Sequence, residues 1–379
     1  MIMKKNLLFI AAAALIFAAC SNNDLRNDIQ DEQVGIGFST FTGKLTRAEN
    51  STATVKHALN SHHTAFKVWG YKTVNGTPSS VFGESGNTGT IVSWNSTSSF
   101  WEYSPLRFWD KSATNYKFYA AAPATESWTY ANDKISLAGF SVNGTSIAAS
   151  ASIDADANFG AQDIMISEDV TVLPANYTST RVQLNFIHLL TRLNIGVKKA
   201  TPLLDNYVVK LTSIKVFNLV DGADFSEATA AVQSGSIARW SANNSTSANS
   251  NSGYGYETET VVTTSYNYVY QALFIPQKIE YAADVLLNGV GLGSTSKPYL
   301  NIQYDLYASD GTTKIDSYSY FYNLADMFNG ANSTDDVAFN EGWMNTLMIT
   351  IEPVAINFAA DVYEWKPTTD TEVGVPDLD

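Results

Sequence analysis

Runs in which apolar side chains take every second position recur along the chain, separated by spacers rich in Gly, Asn, Ser and Pro. Val34-Gly35-Ile36-Gly37-Phe38 is the first. Others cover residues 65–71, 116–120, 135–140, 163–167, 182–186, 193–197, 207–216, 266–275, 299–306, 317–322 and 343–351. A period of two puts one set of side chains on a buried face, so each run predicts a strand. Helical spacing is scarce, and residues 324–328 are the best short candidate. Many short strands between turn-rich spacers predict an all-β protein built from β-sandwiches. The Ser/Asn run 241–253 cannot bury apolar surface and reads as a surface loop. Pro174 and the polar residues after it precede a new strand, which places a domain boundary near residue 180.

The two ends of the patterned region carry nearly the same strand. Val354, Ile356, Phe358, Ala360 and Val362 alternate with smaller or polar residues, and Val-x-Ile-x-Phe repeats the order of Val34, Ile36 and Phe38. Two strands with the same apolar parity can compete for one groove, with alternate side chains in its pockets. Burying Val354, Ile356, Phe358 and Val362 is worth about 1.5–3 kcal/mol each, before association entropy is subtracted. The bland alternative is that each strand is resident in its own sheet.

Composition narrows the function. The 379 residues hold 23 Lys and Arg against 37 Asp and Glu, a net charge of −14, and no basic cluster. Such a chain repels phosphate, so no nucleic-acid partner is expected. The single Cys excludes a disulfide framework and a cysteine-rich metal site.

That cysteine stands at a telling place. Lys4 and Lys5 precede an apolar run from Leu7 to Ala19, too short to span a bilayer and followed directly by Cys20. A basic start, a short apolar stretch and small residues describe a secretory signal. Phe17-Ala18-Ala19-Cys20 resembles a bacterial lipobox, with Phe17 where Leu is usual. Lipidation of Cys20 follows, and two or three acyl chains anchor firmly. Residues 1–19 are then a lipoprotein signal peptide and the polar stretch from 21 to 33 a tether. Arg47-Ala48, in the polar segment after the first strand, is an accessible site for a trypsin-like protease.

The chain resembles the fimbrillin (type V pilin) family of Bacteroidales lipoproteins, the FimA-like and Mfa-like group. The main anchor is Val182-Gln-Leu-Asn-Phe186-Ile-His188-Leu-Leu-Thr-Arg192, similar to the family's Phe-x-His strand. Supporting pieces are Phe66-Lys-Val-Trp69-Gly70-Tyr71, Phe108-Trp109, Tyr116 to Pro123, Gly342-Trp343 and the run Ile356 to Trp365. The resemblance implies two transthyretin-like (Greek-key) β-sandwich domains in tandem, at 48–180 and 181–379. It implies that residues 20–47 form a lipidated tether with a removable strand carrying Val34, Ile36 and Phe38. An arginine-specific protease would cut at Arg47-Ala48, and a neighbouring subunit would fill the vacated groove by donor-strand exchange. The candidate donor is the strand with Val354, Ile356, Phe358 and Val362. The implied partners are other pilin subunits, in a homo- or heteropolymer, the outer membrane through the lipid anchor, and a host glycan or protein ligand. The implied location is the outer membrane, then a surface fimbrium that serves adhesion.

Other chemistry is weakly encoded. His188 shares parity with Val182, Leu184 and Phe186 and is expected as a buried, neutral core histidine. His57, His62 and His63 fall in a polar stretch without nearby carboxylates, a poor metal site. Asp154-x-Asp156-x-Asn158 opens like a calcium loop, but Phe159 replaces the required Gly and Met165 the bidentate Glu. Residues 329–336 read as a solvated turn. No nucleophile motif, phosphate loop or carboxylate pair is recognisable, so neither catalysis, metal nor cofactor is expected. Trp94, Trp101, Tyr103 and Trp109 read as core, or else as a sugar-stacking platform. The platform supports an alternative function, a monomeric cell-surface glycan-binding lipoprotein.

Overall fold

The computed structural model describes residues 34–42, 59–83, 88–153, 158–178, 181–201, 204–227, 239–242, 253–281, 297–329, 335–352 and 356–364. Almost every regular element among them is a strand; one short helix, Leu324–Asn329, occupies the predicted helical stretch.

The strands predicted from alternation form, mostly a residue or two longer than the apolar run. Ala65–Val74, Asn115–Ala122, Lys134–Ser141, Val182–His188, Thr191–Lys199, Tyr207–Phe217, Tyr299–Ala308 and Trp343–Ile351 each enclose their predicted segment. The first differs. Its ladder runs from Phe38 to Thr42 rather than over residues 34–38, because residues 34–36 take a different partner.

A nine-stranded sheet orders Phe38–Thr42, Val182–His188, Met165–Ser167, Asn115–Ala122, Ala65–Val74, Thr90–Asn95 and Phe100–Glu102, with two further strands paired to its centre. Both faces of its central strands are buried. Tyr116, Phe118, Ala120 and Ala122 point into one hydrophobic cluster, Tyr119 and Ala121 into another. A four-stranded sheet orders Asn267–Phe274, Thr191–Lys199, Trp343–Ile351 and Ile356–Glu364. A five-stranded sheet carries Tyr207–Phe217 at its centre, and smaller sheets complete the fold.

Hydrogen bonding crosses residue 180 in both directions. Val182–His188 belongs to the nine-stranded sheet, whereas Lys134–Ser141 pairs with Gly222–Ser226 and Ser150 bridges Tyr268. The sheets therefore do not part at the boundary that Pro174 suggested.

Candidate functional site

Residues 34–42 lie along one edge of the nine-stranded sheet and change partner halfway. The Val34 carbonyl accepts from the Trp109 N–H at 3.0 Å, the Ile36 N–H donates to the Arg107 carbonyl at 2.9 Å, and Gly35 bridges Phe108. The Tyr103 hydroxyl donates to the Ile36 carbonyl at 2.6 Å. Burial pushes that phenol up to about 12, so it stays protonated and able to donate. At Gly37 the chain crosses over: its carbonyl accepts from the Val182 N–H at 2.8 Å, and Phe38–Thr42 then runs parallel to Val182–Phe186. The N-terminal segment is thus lodged between a strap, residues 103–109, and the strand Val182–His188.

Its side chains go deep. Ile36, Phe38 and Thr40 alternate into the core, and Phe38 has no exposed surface. Around Phe38 stand Phe66, Phe82, Tyr103 and Phe118, at ring centroid distances of 6.2, 5.4, 5.8 and 5.7 Å. Three of the four contacts are edge-to-face, an arrangement that adds to area burial. Gly70 makes the box possible, because a Cβ there would lie 2.7 Å from the Phe82 ring. Two residues on, the Thr40 hydroxyl accepts from the buried Trp101 indole N–H at 2.9 Å.

The aromatic stretch weighed as core or sugar platform therefore has a definite task. Trp101 and Trp109 are buried; Trp101 packs edge-on with Phe66 and Trp94, and Trp109 stacks on Tyr177 at 4.9 Å while its indole donates to the Thr178 carbonyl. Trp101, Tyr103 and Trp109 thus hold the N-terminal strand through hydrogen bonds to Thr40, Ile36 and Val34, while Trp94 and Tyr103 remain half-buried. Sequence reasoning missed that role. The clustering of Trp94, Trp101, Tyr103 and Trp109 was the available signal, but nothing in it named the partner far upstream at residues 34–42.

The C-terminal strand, Ile356–Glu364, is antiparallel to Trp343–Ile351 along its whole length and forms the edge of the four-stranded sheet. Ile356 is buried, Ala360 and Val362 half-buried, and Phe358 stands opposite Ile349 in the register. The two similar terminal strands thus sit at the edges of different sheets. Cys20, Arg47, Ala48 and Val354 lie outside the described residues.

The histidines correct the sequence reading. His62 and His63 are buried rather than in a polar loop, and a carboxylate is close by. The fully buried Asp163 accepts from His188 Nδ1 at 2.8 Å, lies 3.9 Å from His62 Nδ1, and takes the His63 Nε2 donor on its backbone carbonyl at 2.6 Å. Burial holds His63 below its ordinary value, against the opposing pull of Asp163. His188 is the buried, hydrogen-bonded core residue its parity implies. Asn158 donates to the Ser61 carbonyl and accepts from the Gly160 N–H, which makes it a loop brace; Asp154 and Asp156 lie outside the described residues. Among the described residues no group of His, Cys, Asp or Glu is arranged to hold a metal ion, and no helix is long and apolar enough to cross a membrane.

Comparison with known proteins agrees with this architecture. The fimbrium subunit Fim1C of Phocaeicola vulgatus is 26% identical over 221 residues, an alignment spanning 55% of each chain, so only about half the length of that relative is matched. A crystal structure of a fimbrial protein from Bacteroides vulgatus superposes with a TM-score of 0.50 at 17% identity, covering 88% of this chain and 99% of that one, a likeness of fold alone. The model of the fimbrillin-like family matches residues 46–365, which is most of the chain, and on that ground the protein belongs to the fimbrillin-like family.

Proposed function

We propose that this protein is a structural subunit of a surface fimbrium, without catalytic activity, that polymerises by exchange of its N-terminal strand. In this reading the precursor is exported, lipidated at Cys20 and held at the outer membrane. Cleavage after Arg47 then frees residues 34–42 from the body, and a strand of a neighbouring subunit takes their place. The fibre serves adhesion.

The observation that carries the reading is the seating of residues 34–42. The strand lies at a sheet edge, between two walls that other parts of the chain provide, and it fills the groove with Ile36, Phe38 and Thr40. While the polypeptide is continuous, the strand competes as an intramolecular ligand at an effective concentration on the order of mM. A cut at Arg47 removes that advantage. What is left is a short peptide that can dissociate and be replaced, and its departure takes the lipid anchor with it. The groove cannot stay empty, since vacating it exposes apolar surface worth about 1.5–3 kcal/mol for each of Ile36 and Phe38. The strand Val354–Val362, at an edge and of matching parity, is the candidate donor.

Limited proteolysis tests this. Trypsin at limiting dose should clip at Arg47 and yield ladders that survive mild heating in detergent. Arg47→Ala should block both events, Cys20→Ala should release the precursor from membranes, and deletion of residues 354–362 should abolish the ladders. A clipped protein that stays monomeric and binds glycans would replace the fimbrial reading with that of a surface glycan-binding lipoprotein.

A further inference from the structure

The groove does more than accept an apolar strand: its chemistry changes along its length. It presents an aliphatic site at Ile36, an aromatic box at Phe38 and, at Thr40, a buried hydrogen-bond donor. We infer that the indole N–H of Trp101 selects donor strands bearing a hydroxyl two residues beyond the aromatic anchor, so that a second copy of this chain is a weaker donor than a subunit whose strand carries that hydroxyl. This rests on the strand-exchange reading and specifies the partner that reading leaves open.

The comparison of the two terminal strands carries the argument. Laid in the register of Val34-Gly-Ile36-Gly-Phe38-Ser-Thr40, the C-terminal sequence reads Val354-Ala-Ile356-Asn-Phe358-Ala-Ala360. The aliphatic and aromatic positions agree. The glycine positions are no obstacle either. A Cβ at Gly35 would meet Leu106 at an ordinary 3.6 Å, and one at Gly37 would meet only the flexible side chain of the exposed Arg181, at 3.2 Å. Ala355 therefore fits as it stands, and the β-carbon of Asn357 requires a shift of a few tenths of an ångström in Arg181. The mismatch is Ala360 in place of Thr40. Trp101 is 6% exposed and packed against Phe66 and Trp94, so with Ala opposite it the indole N–H would be buried without a partner. Leaving a buried donor unsatisfied costs more than the net worth of the bond itself, and the penalty falls only on donors that lack the hydroxyl. Specificity of this kind works by penalising the wrong strand.

A second observation runs the same way. The chain's own C-terminal strand is paired with Trp343–Ile351 in continuous antiparallel register from Ile356 to Glu364, so donating it would first open a complete ladder.

The test uses the full-length protein clipped at Arg47 and four fluorescent nine-residue peptides. Two carry residues 34–42, one as they stand and one with Thr40→Val, which keeps shape and strand propensity but removes the hydroxyl. Two carry residues 354–362, as they stand and with Ala360→Thr. At equilibrium the hydroxyl-bearing member of each pair should bind about tenfold more tightly. In Trp101→Phe protein, which has no indole donor, each difference should shrink below about twofold. If the Trp101 variant fails to fold, the wild-type pairs decide alone. Equal binding within both pairs overturns the selectivity while leaving strand exchange intact. Failure of every peptide to enter, including the native 34–42 sequence, overturns strand exchange and the selectivity with it.

Discussion

The two terminal strands share an apolar pattern and are held by opposite means. The N-terminal segment makes only a short parallel ladder over Phe38–Thr42, the weaker kind of pairing, but buries the side chains of Ile36, Phe38 and Thr40. Ile356–Glu364 makes an antiparallel ladder almost twice as long, with Ile356 buried, Ala359, Ala360 and Val362 only half-buried and Asp361 exposed. One strand is retained by its side chains and the other by its backbone. A ladder accepts almost any sequence, whereas a row of buried sites discriminates. Selectivity in assembly should therefore reside in the groove around Phe38 and not in the edge that carries the C-terminal strand.

The largest effect expected is at the centre of that groove. Phe38→Ala deletes a fully buried ring with four aromatic neighbours, and should lower stability in urea unfolding by about 3–5 kcal/mol. Ile356→Ala, at the buried start of the C-terminal strand, should lose about 2 kcal/mol, the lower end for such a truncation. A larger loss at Ile356 than at Phe38 would break the contrast. Next comes Thr40→Val in the uncut protein, expected to cost about 1–2 kcal/mol by leaving the Trp101 indole unpaired. A double-mutant cycle with Trp101→Phe should recover most of that loss as coupling; additive effects would show that the hydroxyl–indole bond contributes nothing.

Much of this arrangement was legible in the chain. Alternation located the long strands because a half-buried sheet requires it, and the parity of His188 with Phe186 placed that residue inside. What escaped was non-local. The strap at 103–109 contains Pro105 and no clean alternation, so nothing marked it as the second wall of a groove. Residues 34–36 read as part of a ladder, but their hydrogen bonds go to the strap instead. His62 and His63, between Ser61 and Thr64, looked solvated; they are buried because Asp163, 100 residues from His63 in sequence, supplies the polar partner that burial demands. The assignment of Val182–His188 to the first sheet is likewise a matter of partner choice, which a period of two cannot express.

The smallest effect concerns that histidine cluster, and it sharpens the same contrast. Leu59, just before it, packs in the cluster of side chains that contains Ile36 and Phe38, so the segment 59–63 ties the histidines to the N-terminal strand. His63 is held below its ordinary value chiefly by burial, so the unfolded chain binds the proton more readily than the folded one. Stability from this group is therefore complete above about pH 6.5 and declines as the pH falls below it. Asp169 and Glu227, whose carboxyls burial pushes up, carry the opposite sign, so a global melt would mix the contributions. A local probe separates them. Between pH 7.5 and 5.5, after correction for intrinsic exchange rates, amides of residues 38–42 should lose hydrogen-exchange protection. Amides of residues 356–364 should not change. His63→Gln keeps a donor for the Asp163 carbonyl but cannot titrate, and it should abolish the difference between the two strands. If the pH dependence persists in that variant, His63 is not the group that links acid to the groove.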